Sequence, residues 1–363
     1  MNRLIGIDLL RIIAALGILC YHYFFIGPIQ GFYSYDVFHR LCFWGEFGVD
    51  IFFLISGFVI LLSTERIKTA GAFLINRAIR IYPAFLVCSI FTMFCGFIMP
   101  DTSKANLFHR WLNSLMFYSD VWEGGELLSG VYWTLLVEVK FYMLVALIMK
   151  IGIWKNYKYQ ILLFWLLIAI INQFASNNTI ANTLLDLRFA GHFSLGILAY
   201  LYLIKKNKSP WMIPVLAMSV WLVFHNMIGY TTWIRGLTEI KYLDIDIFFG
   251  MSVIFSVLFL AIHMKKIIVP NQAVIYAGAL SFTLYLIHAD FGYFIRTQYY
   301  RRLVVYFPWL LGIVNEHIIM MTEIACSFIV AAIFLKIASI ETTAIKKFVH
   351  PNAKKTEEKE PQS

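Results

Sequence analysis

The chain of 363 residues is 60% hydrophobic and 14% charged, with 33 Phe, 20 Tyr and 10 Trp, and its mean hydropathy is +0.73. A soluble domain carries roughly a quarter charged residues and under half apolar ones, so this balance excludes a soluble globular chain, a disordered one and a disulfide-rich scaffold, and predicts an integral membrane protein. The net charge of +9 comes from Lys and Arg spread along the chain and not gathered into the basic patch that nucleic acid needs, so no nucleic-acid partner is expected.

Ten apolar runs are long enough to span a bilayer, which takes about 20 residues. They lie near 5–26, 46–64, 81–99, 131–149, 159–175, 189–204, 210–228, 243–263, 273–293 and 316–335. The expected fold is therefore all-α, a polytopic membrane bundle of about ten transmembrane helices. The first run follows the cationic stretch Met1–Arg3 as a signal peptide would. It carries Asp8 and Arg11, continues to about Gly27 and lacks a small-x-small cleavage site, so it reads as a retained helix.

With the N-terminus inside, nineteen of the thirty Lys and Arg fall on the inner side and nine on the outer. Positive charge is retained on the cytoplasmic side, so both termini are expected in the cytoplasm. Residues 1–340 form one transmembrane domain, and 341–363, ending KKFVHPNAKKTEEKEPQS, read as a polar, disordered cytoplasmic tail. The longest outer loop, about 100–130, contains the amphipathic stretch LFHRWLNSLMFY, suited to the membrane interface. Cys20, Cys42, Cys88, Cys95 and Cys326 are odd in number and show no CxxC spacing, which favours packing over a disulfide framework or a metal cluster.

A charge within a membrane span is costly and marks a functional site by default. In the first helix Arg11 and His22 are eleven residues apart, ~20° past three full turns at ~100° per residue. They share one face, separated by roughly 16 Å along the axis. Asp8, three residues before Arg11, is placed to pair with it; a purely structural Asp8–Arg11 pair is the competing reading. Arg77 and Arg80, three apart before the third span, project to one side and suit phosphate through their bidentate forks; ordinary positive flanking is the alternative. Thr134, Glu138 and Tyr142 form a polar stripe at four-residue spacing in the fourth span, with Glu138 at a depth comparable to His22. Glu46 and Asp50 begin the second span one turn apart. His288 reads as a satisfied interfacial histidine, and Glu323 and His192 receive no role. HExxH, paired-cysteine, GxSxG and Walker patterns are all absent, and no metal site is expected.

Six segments in order resemble the membrane acyltransferase 3 family: IDLLRIIAALGILCYHY, FGVDIFFLISGF, FLINRAIRIYPAF, YWTLLVEVKFY, LRFAGHFSLGILAY and SFTLYLIHAD. They run from residue 5 to about 295. The resemblance implies an O-acyltransferase of the bacterial cytoplasmic (inner) membrane. Such an enzyme moves an acyl group, usually acetyl, from cytoplasmic acyl-CoA as co-substrate to a sugar hydroxyl of a surface or exported polysaccharide. Arg11, His22, Arg77, Arg80 and Glu138 match the family's motif positions. The sequence departs from the family where a double acid is usual, here Glu138–Val139, and where Leu-Trp-His precedes a proline, here Leu286 to Asp290.

The expected site then has His22 and Glu138 as catalytic residues, with Glu138 orienting or charge-stabilising the imidazole. His22 acts as general base or as transient acyl carrier. Arg11, Arg77 and Arg80 bind the CoA phosphates; Asp8, Trp133 and Tyr142 orient. Membrane lipid, acyl-CoA and a carbohydrate acceptor are the expected partners, and Trp111, Tyr118 and Trp122 are candidate sugar platforms or interfacial anchors. The rivals are a transporter or flippase, for which no matched pair of broken helices is visible, and a lipid-linked glycosyltransferase using Glu46, Asp50 and Glu126.

Overall fold

All ten apolar runs fold as helix in the computed structural model, which describes residues 4–99, 104–117, 125–175, 179–238, 240, 242, 244–263, 271–309 and 315–349. Helix α1 (Ile5–Tyr21) passes through a π turn (His22–Ile26) into the short α2 (Gly27–Ile29), and 3₁₀ turns at Tyr35–Val37 and Arg40–Phe47 lead to α3 (Gly48–Arg66). Then follow α4 (Ala70–Ile98), α5 (Lys104–Met116), α6 (Trp133–Ile151), α7 (Trp154–Phe174), α8 (Thr179–Leu185), a 3₁₀ turn (Leu187–Phe189) and α9 (Ala190–Leu203). The chain closes with α10 (Met212–Leu237), α11 (Asp244–His263), α12 (Gln272–Gln298), a π turn (Tyr299–Leu303), α13 (Val304–Tyr306) and α14 (Glu316–Val349). Every regular element among the described residues is helical. A helix satisfies its own backbone polar groups, which lipid cannot do.

By length and apolarity, seven helical stretches among the described residues can cross a membrane: Ile5–Ile29, Arg40–Arg66, Ala70–Ile98, Asn156–Phe174, Met212–Leu237, Gln272–Gln298 and Glu316–Phe348. Leu187–Leu203 and Ile245–Ser256 are shorter apolar helices, and α6 carries three charges, Glu138, Lys140 and Lys150. The chain is thus a multi-pass membrane protein. Its outward-facing Phe94, Phe164, Ile213 and Phe249 are all exposed, a pattern that fits a lipid solvent.

Two boundaries differ from expectation. α4 starts at Ala70, capped by Thr69 Oγ1 accepting from the Ala72 amide at 3.3 Å. Arg77 and Arg80 therefore lie well inside a helix, and Pro83 is interior to it. α14 continues to Val349, so residues 341–349 of the expected tail are helical, whereas 350–363 lie outside the described residues. So do Tyr118, Trp122 and the Lys265–Lys266–Pro270 junction.

The most extensive helix pairing joins α3 to α9. A Cβ on Gly57 would sit 2.2 Å from the Phe193 carbonyl oxygen, and one on Gly196 would sit 2.0 Å from that of Leu54. The two backbones touch because these residues are small, the usual solution where lipid gives no hydrophobic drive between helices. Beside them Phe141 stacks on Phe193 at 3.9 Å between centroids. α1 packs on both α3 and α12, and α12 in turn on α4 and α14. These contacts enclose the polar residues of α1, α3, α6 and α12.

Candidate functional site

A cavity of about 640 Å³ runs between α1, α3, α4, α6, α12 and α14. Its wall follows α3 from Val49 to Val59, about 15 Å at 1.5 Å per residue. Arg11, Arg80 and Lys346 line it, as do Ser56, Glu138 and Tyr142, and then Thr134 and Tyr285. The volume lies within the range of small-molecule sites.

Arg11 is held by Asp8, with Nη1 3.8 Å from Oδ1 on the same helix, as the three-residue spacing predicts. Arg80 is exposed and shares the cavity wall with it. Arg77 does not line the cavity. It is buried, donates to Ser63 Oγ, and lies 5.6 Å from the ring centres of both Phe73 and Tyr142. The two arginines thus separate into a wall residue and a support behind Tyr142. Lys346, in the segment expected to be a disordered tail, supplies a third cation because α14 is longer than its apolar run.

The Thr134–Glu138–Tyr142 stripe is present on α6. Glu138 Oε1 accepts from Ser56 Oγ at 2.7 Å and from the Tyr142 hydroxyl. These are charge-assisted bonds, each stronger than a neutral one. These bonds tie Glu138 to α3 and to its own helix; the expected contact from Glu138 to His22 is not among them. One turn back, Thr134 Oγ1 and the Tyr285 hydroxyl are 2.8 Å apart.

His22 instead meets His288. Their ring centroids are 4.9 Å apart at an interplanar angle of 73°. His288 is buried and its Nδ1 lies 2.8 Å from the Tyr285 carbonyl oxygen. An N–H must fill that contact, so in the neutral ring Nε2 carries the lone pair. Tyr23 donates to the His288 carbonyl oxygen at 2.7 Å, tying α12 to the chain segment that carries His22. His22 itself opens a π turn, closed by the Gly27 amide donating to its carbonyl. Such single turns redirect a side chain and recur at functional sites. His288 lies in the late family segment SFTLYLIHAD, where the sequence alone reads it as a satisfied interfacial histidine.

His192 Nε2 lies 2.8 Å from Asp50 Oδ1. Arg296 bridges Glu316 at 2.6 Å and Glu323 at 3.2 Å, an internal ion cluster away from the cavity. Trp133 stacks on Phe189 at 5.5 Å. Trp111 donates its indole N–H to Ser89 Oγ at 3.2 Å, which makes it a packing residue between α5 and α4, and Glu126 approaches Arg110 at 3.5 Å.

Comparison with known proteins gives the same family as the motifs. The acyltransferase 3 family model, described as an acyltransferase domain, matches residues 4–338. The chain is 26% identical over 321 residues to nodulation protein 10 of Rhizobium leguminosarum bv. viciae, covering 77% of this chain and 81% of that protein. It is 34% identical over 103 residues to an O-acetyl transferase of Shigella phage Sf6, covering 28% of this chain and 30% of that protein. No solved structure matches. Nearly the whole length matches the family model, so the chain belongs to the acyltransferase 3 family of membrane acyltransferases.

Proposed function

We propose that the protein transfers an acetyl group from cytoplasmic acetyl-CoA to a sugar hydroxyl of a surface or exported glycan, within the bacterial cytoplasmic membrane. The observation that carries this reading is one cavity with three cations, Arg11, Arg80 and Lys346, on its wall, and with Tyr285 on the same wall, its ring 5.9 Å from that of His288, which in turn meets His22. The CoA moiety is polyanionic and has a slender pantetheine arm. Arg11, Arg80 and Lys346 bind its phosphates, and the arm extends along α3 past Ser56 and Glu138. The excess of Lys and Arg on the side of the N-terminus supports a cytoplasmic opening for the cationic end.

At the other end His22 removes the proton from the attacking hydroxyl. The hydroxyl oxygen bonds to the thioester carbonyl carbon, the C–S bond breaks, and the proton passes from His22 to the departing thiolate. The products are an O-acetyl sugar and free CoA. Glu138 holds Tyr142 and Ser56 on the wall beside the arginines, and Arg77 supports Tyr142 from behind.

The test is the mass spectrum of surface and secreted glycans from three otherwise identical strains, carrying the native chain, His22→Ala at matched membrane abundance, or neither. A 42 Da increment per modified hydroxyl, about the mass an acetyl ester adds by exchanging H for the acetyl group, is expected with the native chain alone. Its persistence in His22→Ala would remove His22 from the reaction. Its absence from all three strains, with no acetyl-CoA consumed by the purified protein, would overturn the acyl-transfer reading of the acceptor.

A further inference from the structure

A second cavity, of about 870 Å³, opens between the 3₁₀ turn at Arg40–Phe47, the start of α3, the start of α6, the end of α7 and the α8–α10 region. Nothing in the reaction described above uses it. Its wall carries two carboxylates, Glu46 and Asp50, and one guanidinium, Arg188. Three amides also reach it, Gln173, Asn182 and Asn226, together with the aromatic rings of Trp133, Tyr230 and Trp233. Trp233 is 48% exposed, and its ring is 5.5 Å from that of Tyr230.

The mixture identifies the ligand class. A lipid chain requires an apolar wall, and this one is rich in amides and charges. A polyanion requires surplus positive charge, and here two carboxylates face one guanidinium and one imidazole, that of His225. A sugar ring presents hydroxyls that each donate and accept, and it presents apolar C–H faces. Carboxylates and amide oxygens accept from those hydroxyls, Arg and amide nitrogens donate to them, and indole faces cover the C–H surface. Asp50 is pre-oriented by the fully buried His192 at 2.8 Å, and the Arg188 guanidinium lies 5.1 Å over the Phe189 ring, so both charged groups are held in place before a ligand arrives.

The position also connects to the reacting histidine. Val49 lines both cavities, and Trp133 of the second precedes Thr134 of the first. The Tyr230 hydroxyl bonds that of Tyr21, and the Tyr21 ring meets the His22 ring edge-on at 5.3 Å. A ligand here is one pair of tyrosines away from His22, and it adjoins the part of the first cavity that carries Val49 and Thr134.

From this geometry we infer that the second cavity is the acceptor subsite and binds a neutral pyranose, with Trp133 and Trp233 on its C–H faces and Glu46, Asp50 and Arg188 on its hydroxyls. The inference rests on the glycan-acetylation reading and names the site that reading lacks. It also implies that the acceptor and acetyl-CoA enter by different cavities and meet at His22.

The experiment uses the purified full-length protein, the native chain beside Trp233→Ala and Arg188→Gln, both exposed positions. Labelled acetyl-CoA is the donor, and de-acetylated polysaccharide from a strain lacking the gene is the acceptor. Each variant is expected to raise the acceptor KM at least ten-fold with the KM for acetyl-CoA unaltered and with an unchanged thermal unfolding midpoint. An unchanged acceptor KM, or equal rises for donor and acceptor, would overturn the subsite. Quenching of tryptophan fluorescence by methyl pyranosides, with inorganic pyrophosphate and tetraethylammonium as charged controls, is read alongside. Pyranoside quenching in the native chain that disappears in Trp233→Ala supports the subsite even where no transfer occurs, in which case the acetylation reading alone fails. Quenching by a charged control and by no pyranoside would overturn it.

Discussion

His22 and His288 stand edge to face with ring centroids 4.9 Å apart, although one lies on the first membrane segment and the other on α12. Tyr23 locks the junction by donating to the His288 backbone. The His288 ring is fixed by its own contact to the Tyr285 carbonyl, so its Nε2 is the atom free to act beside His22. His288→Asn keeps a donor near the Nδ1 position and deletes Nε2. Both His288→Asn and His288→Ala are expected to lower the rate of acetyl transfer about 100-fold, the lower range for a proton-transfer group. Initial rates with labelled acetyl-CoA measure this. Full activity in the Asn variant would show that His288 serves packing alone.

Arg80 and Arg77 are expected to fail differently. Arg80 lies on the cavity wall, so Arg80→Ala should raise the KM for acetyl-CoA roughly ten-fold or more, the worth of a lost charge-assisted contact. The effect should shrink as salt rises. Arg77 is packed against Ser63, Phe73 and Tyr142, so Arg77→Ala should lower the yield of folded protein. A KM effect of equal size in both variants would contradict the division.

Tyr142 and Ser56 both donate to one oxygen of Glu138. Removing either hydroxyl, in Tyr142→Phe or Ser56→Ala, takes away a hydrogen bond to a charged group, roughly 1.5–3 kcal/mol. Each is expected to cut kcat about ten-fold or more, and the double variant to lose less than the product of the two, since they share an acceptor. Strict multiplicativity in a double-mutant cycle would show that the two hydroxyls act independently.

At the α3–α9 contact, Gly57→Ala and Gly196→Ala place a methyl against carbonyl oxygens at 2.2 Å and 2.0 Å. Overpacking of this kind costs roughly 1–3 kcal/mol, and a lower unfolding temperature in detergent is expected for both. Gly229→Ala, with nothing within 4 Å of the added carbon, is the matched control and should unfold at the native temperature.

Much of the site was legible residue by residue. The Asp8–Arg11 pair and the Thr134–Glu138–Tyr142 stripe follow from helical spacing, and both are present. Spacing did not say which neighbour each stripe faces. Glu138 turned to Ser56 of α3, and His22 met α12, because helix rotation is set by packing partners far away in the chain. Arg77 and Arg80 share a side by spacing, yet one is buried under Tyr142 and the other lines the cavity. Lys346 was missed because α14 outruns its apolar stretch, and hydropathy ends where lipid contact ends while a helix does not.

The amino-acid sequence by itself determined the membrane class, the positions of the ten helical runs and the family. All three follow from local terms: apolar length against bilayer thickness, the need of a backbone in lipid to bond itself, and short motifs. Only the tertiary structure decided that His22 faces His288, that Asp50 is held by His192, and that two cavities share Val49 in their walls. Those contacts depend on close approach between helices distant in the chain, governed by small residues such as Gly57 and Gly196 and by interlocking aromatic rings, and no one-dimensional period contains that information.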